Sequence, residues 1–320
     1  MNYRIEKYMD FENPTAEFAG VRRSAQGFGI SGRYGYILFH TGIYAVYDLD
    51  TRDPRPLRVG KLDSFCDGPD KRYINHANDL VITEREGRRF MYIQAGNSGE
   101  RDGGGYIARC KVEELTGEGA ESRTRLVQTI SFDPDSDGDR RGFEPPAWGW
   151  PCWLPDTDNG LLYIFSARYR TTAEFLKYCS DNRYIVTVFR LPDPLSGDLT
   201  LSYGDIIDQK LLPFDILFTQ GGTVRDGKIY FTFGCREKYP DGMRVIDPAA
   251  GRYLARVDLH RSILGSEELE CAAFTPEGRL RVNTGEGHIY SLEIDENACG
   301  CPEDEAPGEE PRGGRTDVII

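Results

Sequence analysis

A unit of roughly fifty residues recurs along this chain, and that self-similarity limits the fold more than any other feature. The unit is a polar residue with small or apolar neighbours, a Gly-containing turn, an apolar–aromatic strand and a further strand ending near Asp. The clearest copy is TQGGTVRDGKIYFTFG, Thr219 to Gly234, followed by MRVIDPAAGRYLARVDL. Asp226-Gly227 makes a tight turn between two alternating strands, and Asp247-Pro248 through Gly251 makes a second. Four strands in about fifty residues is the length of one β-propeller blade.

Four more copies follow the same order. They open at AQGFGISGRYGYILFHTG, NHANDLVITEREGRRFMYIQAG, WPCWLPDTDNGLLYIFSARYR and LECAAFTPEGRLRVNTG. The lead residues are Gln26, Asn78, Trp150, Gln220 and Glu270, separated by 52, 72, 70 and 50 positions. The two wide gaps hold insertions, the acidic SFDPDSDGDRR before Gly142 and the segment Thr171–Asn182. The last copy has three strands, whereas the alternating N-terminal NYRIEKYMDF has no partner of its own. Pairing it with HIYSLEI closes the ring and hides the open sheet edges. The predicted fold is all-β, a propeller of five four-stranded blades over residues 1–296. A sixth blade stays open if an insertion folds as one. A β-sandwich is the alternative architecture, and the fifty-residue period with Asp-Gly turns argues against it.

The 320 residues carry a net charge of −13. Without a basic excess there is no counterion release to drive nucleic-acid binding, and none is expected. No apolar run approaches the ~20 residues of a membrane span. The N-terminus MNYRIEKYMDFENP has no apolar signal-peptide region, which places the chain as written in the cytoplasm; export stays open if the sequence has been trimmed. Eight cysteines are scattered through the chain, and Cys110, Cys152 and Cys271 lie in apolar strand-like runs, so all are read as reduced thiols. After Ile294 the composition turns to Pro, Gly and Glu, and residues 297–320 read as a disordered acidic tail. A monomer is expected.

Inner strands of a propeller line a central channel, so the lead residues should converge at its mouth. The candidate set is Gln26, His76 with Asn78, Trp148 with Trp150, Gln220, and Glu268 with Glu270. Each i,i+2 pair would face one way on a strand. Amides can serve sugar hydroxyls, Trp can stack on a sugar face, and Glu and His can move protons. The competing structural reading is that such residues bond to one another and to trapped water. No Gly-Lys-Ser/Thr follows RDGGG, and the chain has neither Gly-x-Ser-x-Gly nor His-Glu-x-x-His. Asp133–Asp139 has the charge of a loose calcium loop but not its phase, and calcium is the one cofactor left open.

The stretches Gln26-Gly27-Phe28, His76-Ala77-Asn78, Gln220-Gly221-Gly222 and Glu268-Leu269-Glu270 resemble a group of uncharacterised bacterial propellers common among gut Bacteroidetes. The Gln-Gly lead is also similar to propeller domains of phage receptor-binding and teichoic-acid-related proteins. That resemblance implies binding of glycans or of the cell surface.

Three functions are carried forward. The first is a non-catalytic propeller that binds a saccharide or another polyhydroxylated small molecule at the channel mouth. The second is a metal-dependent, lactonase-like hydrolase with Glu270, Asn78 and Asn75 as candidate ligands. The third is a scaffold for a protein partner. A standard glycosidase is disfavoured, because only Glu268, Glu270 and Asp79 supply acids near the strand starts, with Glu144 just before the third.

Overall fold

A computed structural model of the chain describes residues 3–65, 79–94, 101–102, 105–106, 108–134, 139–169, 183–213, 215, 219–235, 239–259 and 267–295. Five antiparallel sheets form the blades of a propeller, as the repeat predicts. Blade one is Ala25–Ser31, Tyr34–Phe39, Ile43–Asp48 and Arg58–Lys61. Blade two is Leu80–Arg85, Arg88–Gln94, Ala108–Thr116 and Arg123–Phe132. Blade three is Trp148–Asp156, Leu161–Ala167, Tyr184–Arg190 and Asp208–Leu211. Blade four is Thr219–Arg225, Lys228–Cys235, Tyr239–Asp247 and Arg252–Asp258. Blade five is Leu269–Phe274, Leu280–Thr284, His288–Ile294 and, from the other end of the chain, Tyr3–Asp10.

The closure is a ladder from Tyr3 opposite Ile294 to Asp10 opposite His288. His288 fastens its end, with Nε2 3.3 Å from Asp10 and Nδ1 2.8 Å from Glu267. Blade two departs from the expected four strands. Leu199–Leu201, from the connection between the third and fourth strands of blade three, adds to it as a parallel fifth strand beside Ile130–Phe132.

Tight turns join first to second strands. Asp226-Gly227 does so in blade four and Glu86-Gly87 in blade two, all four residues with positive φ, as a two-residue hairpin of right-handed twist requires. Blades then pack face to face through apolar side chains. Phe165 of blade three and Phe231 of blade four stack with centroids 4.0 Å apart. Cys110, Cys152 and Cys271 are free and buried, as small apolar side chains are. The tail beyond residue 296, the insertion 171–182 and most of the acidic run 135–138 lie outside the described residues.

Candidate functional site at the channel

Three of the five inner strands share one irregularity where they begin. In blade one Ala25 pairs with Phe39 and Phe28 with Ile37, so one extra residue sits on the inner strand. Blade four repeats this between Thr219 and Gly222, and blade five between Leu269 and Ala272. A bulge of this kind frees its residues from the ladder and re-aims their side chains. Gln26, Gln220 and Glu270 occupy that freed place, which is why they converge.

Blade three carries two extra residues, since Trp148 faces Ala167 and Cys152 faces Phe165. The place equivalent to Gln26 is therefore Gly149, and Trp150 lies one further along with φ at +61°. This corrects the expected pairing of the two tryptophans. Trp148 is 7% exposed and belongs to the hydrophobic core between blades, while Trp150 is half-buried at the strand start. In blade five the i,i+2 rule does not apply either, because Glu268 precedes the strand and Glu270 lies within it. His76 and Asn78 lie outside the described residues.

The convergent residues make a layer of amide–carboxylate contacts across blade seams. Gln26 Nε2 donates to its neighbour's carbonyl at Ala25 (2.8 Å) and to Glu270 Oε1 (3.2 Å), joining blades one and five. Gln220 Nε2 donates to Gly234 O (2.7 Å) and to Glu268 Oε1 (2.9 Å), joining blades four and five. Glu268 N–H in turn donates to Glu286 Oε2 at 2.9 Å. Gly285 leaves room for this layer, because a Cβ there would stand 2.8 Å from Glu270 Oε1. Gln26 and Gln220 are each 5% exposed and Glu270 1%, so the layer is buried.

Asp241 joins the layer from a third strand. Its Oδ1 accepts from Leu269 N–H at 3.2 Å, and a Cβ on Gly234, whose φ is +142°, would run into its carboxylate. Burial raises its carboxyl to about 7, and the neighbouring Glu268 and Glu286 push the same way.

Below this layer the channel is plugged by Asp79 of blade two. Its Oδ1 accepts from Leu80 N–H (2.9 Å), from Gly222 N–H (3.2 Å) and from the Cys271 thiol (3.3 Å). Burial raises its carboxyl to about 7 against those hydrogen bonds. Burial likewise keeps the Cys152 and Cys271 thiols protonated. A Cβ at Gly221 would lie 2.9 Å from both Asp79 Oδ1 and Cys271 Sγ, and one at Gly27 would lie 2.9 Å from Leu80 Cβ. Glycine at these two bulges is what admits the carboxylate.

At the other end of the channel the inner strands open onto a polar cavity of about 370 Å³, to which Ser31, Glu84, Asp158, Arg225 and Phe274 contribute one residue per blade. Among the described residues no three His, Cys, Asp or Glu side chains are grouped as metal ligands.

No family model and no curated protein matches the chain. Among solved structures, a glutaminyl cyclase from Myxococcus xanthus aligns at 14% identity over 92% of this chain and 96% of its own, with a TM-score of 0.49. A GH43_1 enzyme from Xanthomonas citri aligns at 11% identity over 85% and 88%, with a TM-score of 0.46. A GH43 β-xylosidase/α-arabinofuranosidase from a compost microbial metagenome aligns at 10% over 91% and 94%, with a TM-score of 0.47. None of these likenesses bears on which ligand or reaction belongs to this chain. Nor do they show the likeness to phage receptor-binding propellers that the Gln-Gly leads suggest.

Proposed function

We infer that the protein is a ligand-binding propeller whose site is the amide–carboxylate layer at the entry end of the channel. The ligand class is a saccharide or another polyhydroxylated small molecule. One observation carries this reading: two glutamine amides each hold a glutamate carboxylate across a blade seam, Gln26 with Glu270 and Gln220 with Glu268. Glu carboxylates take hydroxyl donors, and Gln amides can both give and accept, so a polyol can exchange its water contacts for these.

A hydrolase is the second reading. Asp241, with its carboxyl raised to about 7, lies beside Glu268, which gives a protonatable acid next to a second carboxylate. The metal-dependent form of that reading needs Asn75 and Asn78, which lie outside the described residues.

A thermal-shift screen against neutral oligosaccharides, polyols and lactones, with product analysis of each hit, tests both. Stabilisation with the ligand recovered intact supports the binding module. Product formation moves the protein to the second reading, and a blank screen on folded protein removes both.

A further inference from the structure

Among the described residues two arginines on the blades are buried, and their surroundings differ. Arg244, in the third strand of blade four, is 5% exposed and bonds to two carboxylates, Asp215 at 2.6 Å and Asp258 at 3.1 Å. It also lies over the Phe233 ring. Arg281, in the second strand of blade five, is 3% exposed and makes no ion pair among the described residues. Its guanidinium donates to Leu280 O (3.4 Å) and the Ser291 hydroxyl (2.6 Å) and bonds to the Tyr8 side chain, while its Nε is buried without a hydrogen bond. A buried cation without a counter-ion is costly, so proteins rarely keep one idle.

Arg281 lines a groove of about 750 Å³ on blade five, at the end of the inner strands opposite Glu270. Two more arginines, Arg52 and Arg279, line the same groove. Arg52 and Arg281 both lie over the Tyr8 ring, 4.3 and 4.1 Å from its centroid. Neither Arg52 nor Arg279 makes an ion pair among the described residues. Of the acids on the rim, Glu6 bonds to Arg4, and Glu293 stands opposite Arg4 in the ladder. Lys7 is taken by Asp10. Three arginines without an ion pair among the described residues therefore share one groove, with only Glu293 on its lining and Glu277 beside Arg279 and Arg281 to offset them, in a protein whose net charge is −13.

We propose that this groove is a binding site for a tetrahedral oxyanion, the phosphate or sulfate group of a small-molecule ligand, held by Arg281 with Arg52 and Arg279. Guanidinium forks match such groups geometrically, and charge-assisted hydrogen bonds are the strong ones. The anion supplies to Arg281 what Asp215 and Asp258 supply to Arg244. The charges fit the same picture: burial first, and with it Arg279 and Arg52, hold the Arg281 guanidinium below its usual range against the opposing pull of Tyr8, whereas Arg244 is held above it by its two acids. The site is separate from the channel entry, so it stands or falls independently of the saccharide reading.

The test is calorimetric titration of the full chain with inorganic phosphate, and separately with sulfate, at constant ionic strength so that screening is equal. Saturable binding of either anion is expected, and comparing the two titrations tells which anion the groove prefers. Arg52→Ala and Arg279→Ala, both surface changes, should each weaken it about tenfold, the worth of one charge-assisted contact. Arg281→Met should abolish it. If that variant fails to fold, the two surface variants still decide. Absence of binding to the wild type, or equal affinity in both surface variants, overturns the site. An Arg281→Met protein that folds and binds phosphate as the wild type does also overturns it.

Discussion

Asp79 of blade two accepts a hydrogen bond from the backbone N–H of Gly222 in blade four at 3.2 Å, across the propeller axis. These blades are not neighbours in the ring. One carboxylate therefore ties two non-adjacent blades together beside the layer of Gln26, Gln220 and Glu270. Because the plug is an acid raised to about 7, its protonation is coupled to folding.

The folded carboxyl titrates at about 7 and the unfolded one near 3.8, so the folded state binds more protons between those values. Stability is full below about pH 4 and falls as pH rises through 7. Asp241, also raised to about 7, adds in the same direction. Asp79→Asn keeps an oxygen for Gly222 and Leu80 and removes the charge. We expect it to be more stable than the wild type by about 1–3 kcal/mol at pH 8, and by little at pH 4. Melting curves of both proteins from pH 4 to 9 would measure this; parallel curves would show that Asp79 is not the coupled group.

Gly221 should tolerate nothing larger. A methyl there meets Asp79 Oδ1 and Cys271 Sγ, both at 2.9 Å and both held in a packed layer. Gly221→Ala should cost about 1–3 kcal/mol in urea unfolding, as overpacking does. Gly32→Ala is the control for glycine content at a turn: it meets nothing within 4 Å, and its cost should come from its φ of +57° alone. A Gly221→Ala protein as stable as the wild type would mean that the plug can move aside.

Removal of residues 1–12 should open the ring. It strips the fourth strand of blade five and the buried Ile5, Met9 and Phe11. The edge at His288–Ile294 would then be bare, and both the melting temperature and the sharpness of the transition should drop. Aggregation at raised concentration should follow, measured by light scattering. An unchanged transition would place the closure elsewhere.

The repeat made the blades legible, because each first hairpin is marked by its own Gly turn and each inner strand by its apolar run. Gln26, Gln220 and Glu270 were legible for a further reason: their blades carry the same one-residue bulge, so shared sequence phase became shared position. Trp150 broke the pattern because blade three has a second extra residue there, and a one-residue slip changes which way a side chain faces. Asp241 could not be read at all. It belongs to a third strand and reaches the layer only because Gly234 has no side chain. Arg281 in LRVNT reads as one more outward residue of an alternating strand, and only the neighbouring Tyr8, from the far end of the chain, reveals it as buried.

The entry layer as ligand site is tested most directly at Glu270, where Gln replaces a carboxylate by an amide of the same shape. Wild-type protein and Glu270→Gln would be titrated calorimetrically against one panel of neutral oligosaccharides, with melting curves to verify folding. We expect the wild type to bind at least one member and the variant to bind it at least tenfold more weakly, the loss of one charge-assisted hydrogen bond. Equal affinity in the two proteins, or no binding to the wild type, would show that Gln26 and Glu270 hold the blades together and nothing else.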